Sequence, residues 1–219
     1  MTAATVLNEL ELDALTEMLN IGVGQAATSL REMVGEQVQL SVPRVSLVSR
    51  ESAIATLGAS EVSSLVGVHQ VFEGDIVGRA LLIFPDTKSL ELVKAVAGGN
   101  LSLEEIIELE HEALAEIGNI ILNGCVATMA NMLERTLKMS LPEIIRGAPA
   151  RFFNLEPPPA AGDVVMFLYI NFTIRNRDIR GYIAMLMDIP SLAALKILLG
   201  DFISRAAGGS TLSNDPTRA

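Results

Sequence analysis

The stretch Asp13-Ala-Leu-Thr-Glu17-Met-Leu-Asn20 recurs ninety-nine residues later as Glu112-Ala-Leu-Ala-Glu116-Ile-Gly-Asn119. Each copy carries an acid, a glutamate four positions on and an asparagine three positions further. Twenty-two residues then separate the asparagine from a proline, Pro43 or Pro142. At about 100° per residue, the three polar positions of each copy share one face of a helix. The repeat therefore predicts two motif helices, each with one polar stripe.

The opposite face of each motif helix is apolar, which predicts that it packs on a core. Its residues are Leu15, Met18, Leu19 and Ala26 in the first copy and Leu114, Ile117, Ile121 and Cys125 in the second. A single polar stripe is ordinary on an exposed helix. Two stripes with the same acid, glutamate, asparagine and distant proline indicate a site whose geometry both copies preserve.

The pattern (Asp, Ser or Glu)-x3-Glu-x2-Asn-x22-Pro resembles the signature of the CheC/CheX/FliY family, phosphatases that act on chemotaxis response regulators. The resemblance spans about residues 8 to 203, and two intact copies in a chain of this size are similar to the CheC members of the family. It implies an α/β (α+β) fold with internal duplication and pseudo-two-fold symmetry. One β-sheet would be shared, and the two long motif helices would lie on its surface.

The asparagines and glutamates of the stripes suit different tasks. An amide donates and accepts hydrogen bonds but has no useful pKa, so Asn20 and Asn119 suit positioning rather than proton abstraction. A glutamate beside phosphoryl oxygens would be repelled, so Glu17 and Glu116 suit a cation of a partner. The resemblance implies that the asparagines align a water on the aspartyl phosphate of a CheY-like receiver domain, while the glutamates dock that domain.

The resemblance gives the remaining motif residues supporting roles. Asp13 and Glu112 are the first acids of the stripes, and Pro43 and Pro142 are shape residues. Proline donates no ladder hydrogen bond, and the strand pattern changes phase at Pro43, which predicts a bulge or an edge position. The resemblance also implies that the protein has no cofactor of its own and that the regulator supplies Mg²⁺.

Composition narrows the class of protein. The 219 residues are 50% hydrophobic with a mean hydropathy of +0.42, which is enough for a sizeable core. The net charge of −10 and the pI near 4.7 disfavour nucleic acid and anionic membranes as partners. No apolar run approaches the ~20 residues that span a bilayer, and the first residues lack the basic start of a signal peptide. We therefore expect a cytoplasmic protein.

The sequence has few other side chains that could form a disulfide, a metal site or a catalytic motif. Cys125 is the single cysteine and lies on an apolar helix face, so no internal disulfide forms, and His69 and His111 share no zinc spacing with it. The nucleophile-elbow, phosphate-loop and dinucleotide-loop motifs are absent. The alternative to a phosphatase is a binding protein without turnover, either FliM-like or directed at the receptor deamidase CheD.

The order of periodic segments predicts a duplicated α+β chain. The expected elements are helices at 6–34, 51–57, 85–97, 103–138 and 190–199 and hairpins at 62–84 and 164–187. Gly22 and Gly24 either break the first helix or let another element approach it closely. The expected organisation is one domain over 1–205, repeats at about 8–100 and 103–203, and a disordered tail at 206–219.

Overall fold

The computed structural model describes residues 7–35, 37–41, 45–59, 64–97, 102–155, 164–174 and 177–209. The first half forms α1 (Glu9–Val34), β1 (Val38–Ser41), β2 (Val45–Ser49), α2 (Arg50–Gly58), β3 (Leu65–Gly74), β4 (Gly78–Pro85) and α3 (Ser89–Ala97). The second half forms α4 (Leu103–Met132), β5 (Leu137–Met139), β6 (Glu143–Gly147), α5 (Pro149–Phe153), β7 (Val164–Ile174), β8 (Arg177–Met187) and α6 (Ile189–Gly209). The order of helix, two short strands, short helix, hairpin and helix thus occurs twice.

The eight strands form one antiparallel sheet, which is the shared sheet that the sequence predicts. Its order is β1-β7-β8-β4-β3-β5, with β2 also paired to β7 and β6 also paired to β3. The hairpins β3–β4 and β7–β8 meet through β4 and β8, so one strand from each half forms the centre of the sheet. The mixed helix and sheet fold expected from the sequence is therefore confirmed.

A bulge interrupts the edge of the sheet where β5 passes into β6. Met139 of β5 pairs with Phe72, and Glu143 of β6 pairs with His69. Residues 140–142 therefore lie opposite only two residues of β3. The last of the three is a proline, which has no N–H to give to the ladder.

The register also shifts by one residue between β1 and β2, which both pair with β7. Ser41 pairs with Asn171, and Val45 pairs with Leu168. Pro43 itself lies among residues 42–44, outside the described part of the chain, so its predicted role stays a prediction.

Both motif helices begin with a capping box that is visible in the sequence. The side chain of Asn8 accepts from the N–H of Glu11, and the carboxylate of Glu11 accepts from the N–H of Asn8. Ser102 and Glu105 exchange the same two hydrogen bonds at the start of α4. Each box satisfies two N–H groups that the helix cannot satisfy itself, so both helices start at defined residues.

Glycines allow α1 and α4 to pack backbone against backbone. A Cβ at Gly22 would lie 2.6 Å from the carbonyl oxygen of Gly124, and one at Gly124 would lie 2.9 Å from the carbonyl oxygen of Gly22. A Cβ at Gly118 would lie 2.4 Å from the side chain of Val68 on β3. Close approach is correct for Gly22 and wrong for Gly24, where a Cβ would meet nothing within 4 Å. A break is wrong for both, because α1 continues through Gly22 and Gly24.

The two faces of the sheet carry separate apolar clusters. Strand residues alternate between faces, so Val66 and Val68 pack beneath α1, α3, α4 and α6, whereas Leu65 faces the other side. On that second side, α2 and α5 cover the sheet, and Phe152 and Phe153 of α5 are fully buried. The motif helices thus rest on one face of the sheet and keep their stripes outward.

Two helix ends differ from prediction. α4 ends at Met132 rather than at residue 138, because Glu134 adopts a φ of +57° and β5 follows. α6 runs past Leu199 to Gly209, because Phe202 packs against the core beyond the predicted end. Residues 206–209 are therefore helical rather than disordered, and 210–219 lie outside the described residues.

The predicted junction of the repeats falls among residues 98–101, which also lie outside the described residues, so it stays a prediction.

Among the described helices, α4 alone is long and apolar enough to cross a membrane by length and composition. Its most apolar window has a mean hydropathy of 1.4. The expectation that no apolar run is long enough to span a bilayer is therefore wrong for α4, as far as length and composition are concerned. More than half of that window, 56%, is buried inside the protein, where α4 packs on β3 and α1. The core helix of a globular protein passes the same test.

Candidate functional site

The first motif lies along α1 with its polar residues facing outward. Asp13 and Glu17 are exposed and Asn20 is half-buried, whereas Leu15 and Met18 between them are fully buried. The carboxylates thus extend into solvent, and the amide lies at the edge of the packed helix surface.

The second motif repeats this arrangement on α4. Glu112 and Glu116 are exposed and Asn119 is half-buried, whereas Leu114 and Ile117 are buried. The helical period therefore places all six polar residues where the sequence predicts them, on two outward stripes. The roles assigned to these side chains are taken up below as a proposal.

Asn119 is held by a network of side chains. Its Oδ1 accepts a hydrogen bond from Nδ2 of Asn123 at 2.7 Å and another from Nε2 of Gln70 at 3.1 Å. Gln70 lies on β3, is fully buried, and also donates through Nε2 to the carbonyl oxygen of Ser140 at 2.8 Å. Asn119 is thereby connected to the sheet beneath α4 and to the segment that ends at Pro142.

The bulge at residues 140–142 explains how this connection forms. The N–H of Ser140 donates to the carbonyl of Val71, and its hydroxyl accepts from the N–H of Val71. The carbonyl oxygen of Ser140 accepts from Gln70 instead of from a neighbouring strand. The proline that follows Asn119 in the motif thus belongs to the bulge that anchors the asparagine network.

A groove of about 370 Å³ opens beside Asn119 between α1 and α4. It is lined by Gln25, Ala26, Ser29, Asn119, Ile120, Asn123, Gly124 and Ala127. The Oε1 of Gln25 accepts from the hydroxyl of Thr128 at 3.0 Å, which ties the two helices together across it. These lining residues combine amide groups with apolar side chains, and none of them is charged.

The surroundings of Asn20 are not a copy of those of Asn119. The residue four positions after Asn20 is Gly24, where the second copy has Asn123. The pairing of β2 with β7 in one part of the sheet corresponds to the pairing of β6 with β3 in the other. By this correspondence Ile170 on β7 occupies the position that Gln70 occupies on β3. Ile170 is buried and apolar. Neither Gly24 nor Ile170 has a side chain that forms hydrogen bonds.

A cluster of charges anchors the first half of α4. The carboxylate of Glu110 lies 2.6 Å from a guanidinium nitrogen of Arg146 and also accepts from the hydroxyl of Ser89. Arg146 pairs in addition with Asp86. Burial raises the pKa of Glu110, but the hydrogen bonds from Arg146 and Ser89 outweigh it and leave the pKa below its ordinary value. The cluster joins α4 to β6 and to the start of α3.

The other groups that the sequence offers lie away from the stripes. Cys125 is fully buried, and burial raises the pKa of its thiol to about 12, so it is not a nucleophile in the folded protein. His69 is buried on the side of the sheet opposite Gln70, and burial lowers its pKa. His111 is exposed. Among the described residues, no group of three or more His, Cys, Asp or Glu side chains is arranged to hold a metal ion.

Part of the chain matches a family of known proteins. Residues 10–47, which contain the whole first motif from Asp13 to Pro43, match the CheC-like family. A CheC1 protein of Halobacterium salinarum, named for CheY-P phosphatase function, is 22% identical over 193 residues, covering 88% of this chain and 97% of that protein. The CheY-P phosphatase CheC of Bacillus subtilis is 25% identical over 141 residues, covering 63% of this chain and 67% of that protein.

Over residues 10–47 the chain is therefore similar to the CheC-like family. The fold of the chain is similar to the crystal structure of Thermotoga maritima FliY, with a TM-score of 0.67 and 19% identity. The alignment covers 91% of this chain and 98% of that one. At this identity the likeness concerns the fold alone.

Sequence reasoning missed the residues that hold Asn119. Asn123 lies one helical turn after Asn119, so the spacing of four was a usable signal. Gln70 is the polar residue among the β3 positions that share the phase of Val66 and Val68, which also indicates a specific role. Ser140 has no such signal, because its carbonyl meets Gln70 only through the bulge.

Proposed function

We propose that this CheC-like protein is a hydrolase that removes the phosphoryl group from the phosphoaspartate of a CheY-like receiver domain in cytoplasmic two-component signalling. The observation that carries the proposal is the pair of outward stripes, each with an acid, a glutamate and an asparagine at the same spacing. The named activity of the two curated relatives supports it.

The asparagines have the chemistry that such a reaction needs. An aspartyl phosphate is an activated acyl phosphate, so its hydrolysis depends chiefly on an in-line water and on neutralisation of charge. An amide supplies oriented hydrogen bonds without entering proton transfer. In the proposal, Asn20 and Asn119 each position a water, and the receiver's own Mg²⁺ neutralises the phosphoryl oxygens.

The glutamates have a docking role in the proposal. Glu17 and Glu116 are exposed and lie one turn before the asparagines, so a partner can reach both stripe positions together. A carboxylate would be repelled by a phosphoryl group but attracted by a cation beside it. We therefore assign Glu17 and Glu116 to a basic side chain of the receiver near its phosphoaspartate.

The remaining motif residues support these two pairs. Asp13 and Glu112 are exposed one turn before the glutamates and extend the acidic surface toward the partner. Pro142 shapes the bulge whose Ser140 carbonyl anchors Gln70. We assign Pro43 the corresponding role for the first motif.

The decisive experiment is the lifetime of phosphoaspartate on a CheY-like receiver with the protein present in catalytic amounts. Wild type should shorten the lifetime, and the double variant Asn20→Ala/Asn119→Ala should not, because both amides are removed. Asn131→Ala is the matched control, since Asn131 is an exposed asparagine of α4 off the stripe. This control should retain wild-type turnover.

The alternative of a binding protein makes the opposite prediction. A phosphoaspartate lifetime that stays unchanged with wild type across several receivers, together with stable complexes with a receiver or with CheD, would reject the phosphatase. Loss of the folded state in the double variant, seen by circular dichroism, would show that the stripe amides serve the fold instead.

A further inference from the structure

We infer that Gln70 is a positioning residue for Asn119, and that with Asn123 it fixes the Asn119 amide so that this residue presents its N–H₂ group to the reacting water. The inference rests on the proposed function and refines it for the second site. Three side-chain amides and one backbone carbonyl carry the argument.

The direction of each hydrogen bond follows from the carbonyl of Ser140. This oxygen is only an acceptor, so the atom of Gln70 that lies 2.8 Å from it is the N–H₂ group. The same nitrogen lies 3.1 Å from Asn119, which must therefore offer its oxygen. The atom of Asn123 that lies 2.7 Å from that oxygen must be a nitrogen. The carbonyl oxygen of Ser140 thus determines the orientation of all three side-chain amides, so the oxygen and nitrogen of none of them can be exchanged.

Burial of the Gln70 amide is energetically unfavourable, and an apolar side chain would fill the same space in the core without that penalty. The side chain is fully buried, and its Oε1 has no hydrogen-bond partner among the described residues. A buried polar atom without a partner is unfavourable, and an apolar residue of similar size would avoid the penalty. The counterpart in the other half, Ile170, is such a residue. Holding Asn119 is the structural task that distinguishes Gln70 from Ile170.

The network limits what Asn119 can offer to a partner. Both hydrogen bonds from Gln70 and Asn123 reach Oδ1, so Nδ2 is the atom left to meet the reacting water. The water oxygen then accepts from Nδ2 and attacks phosphorus with its other lone pair. The new O–P bond forms as the P–O bond to aspartate breaks, aspartate leaves as a carboxylate, and phosphate and a proton are released.

The two sites of the chain allow a test within one protein. In an Asn20→Ala background only the second site remains, and in an Asn119→Ala background only the first remains. Gln70→Leu removes the amide and places an aliphatic side chain where the other half has Ile170. The readout is the kcat and KM for dephosphorylation of a CheY-like receiver, with thermal unfolding measured on the same samples.

We expect Gln70→Leu to lower kcat roughly tenfold to a hundredfold in the Asn20→Ala background, with KM unchanged, since a misdirected amide affects the reacting geometry and not docking. In the Asn119→Ala background the same substitution has no amide to misdirect, so the turnover of the first site should stay at the background level. An equal loss in both backgrounds would indicate a general structural role and would overturn the inference. The inference would also be overturned if Gln70→Leu left kcat unchanged in the Asn20→Ala background. It would be overturned as well if the Asn20→Ala protein had no turnover.

Asn123→Ala keeps the test open if Gln70→Leu does not fold. Asn123 is half-buried on α4, so its truncation disturbs the core less than a change at Gln70. It should lower kcat in the Asn20→Ala background only, and no effect there would contradict the inference. Failure of the proposed function is distinguishable, because an Asn20→Ala/Asn119→Ala protein would then turn over like wild type whatever stands at position 70.

Discussion

Nε2 of Gln70 in the sheet lies 3.1 Å from Oδ1 of Asn119 on the motif helix above it. A buried strand residue therefore orients a side chain at the protein surface. The contact joins the two parts of the sequence motif, because Gln70 also binds the bulge that contains Pro142. Motif helix, sheet and bulge form one unit in the second half of the chain.

The shape of the Asn119 side chain can be kept while its N–H₂ donor is removed. In an Asn20→Ala background, Asn119→Asp should abolish turnover, because a carboxylate presents no N–H and repels the phosphoryl oxygens. The new carboxylate can still accept from Gln70 and Asn123, so the free energy of unfolding should change by no more than about 1 kcal/mol. Phosphoaspartate lifetime and urea unfolding measure the two effects. Asn131→Asp adds the same charge elsewhere on α4 and should retain activity; turnover by the Asn119→Asp protein would contradict the role of Nδ2.

Removal of the stripe carboxylates should weaken docking. The variant Glu17→Gln/Glu116→Gln keeps the size of both side chains but removes their charge, so KM for the phosphorylated receiver should rise about tenfold or more with little change in kcat. The KM of wild type should also rise with ionic strength, and that dependence should be weaker in the variant. Glu73→Gln, an exposed residue of β3, is the control. A fall in kcat at constant KM would place the glutamates in the reaction itself.

Two glycines of α1 should respond oppositely to the same substitution. Gly22→Ala places a methyl group 2.6 Å from the carbonyl oxygen of Gly124, and neither backbone can move easily, so the protein should lose about 1–3 kcal/mol of stability or more. Gly24→Ala meets nothing within 4 Å and improves helix propensity, so it should gain up to about 1 kcal/mol. Urea unfolding gives both values. Equal effects would mean that α1 and α4 do not pack this closely in solution.

The Glu110–Arg146 pair should make stability depend on pH in the acid range. The pKa of Glu110 is below its ordinary value of 4.5 in the folded protein, so the unfolded chain binds its proton more readily. The contribution of Glu110 is therefore fully present above pH 4.5 and is lost as pH falls through the lower, folded pKa. Glu110→Gln should unfold at lower urea than wild type at pH 7, and the difference should shrink below pH 4.5. A difference that is constant with pH would reject this assignment.

The sequence predicted the parts of this protein that depend on short-range periodicity. The spacing of Asp13, Glu17 and Asn20 alone places them on one helix face, and the structure exposes or half-buries all three. The hairpins also follow from local residue chemistry, whereas the capping boxes at Asn8 and Ser102 were not predicted. The end of α6 did not follow, because its last turns are held by Phe202 packing on a core whose shape the local sequence does not contain.

The sequence by itself determined the duplicated stripes and the residue types that each stripe presents, because helix and strand periods are local properties of the chain. Only the tertiary structure decided which residues hold Asn119. Gln70 and Asn119 are far apart in the sequence and meet because α4 lies on β3, where Gly118 lets the helix approach Val68 closely. Hydrogen bonds between distant segments depend on that packing, so the difference between the two asparagines appears only in the folded chain.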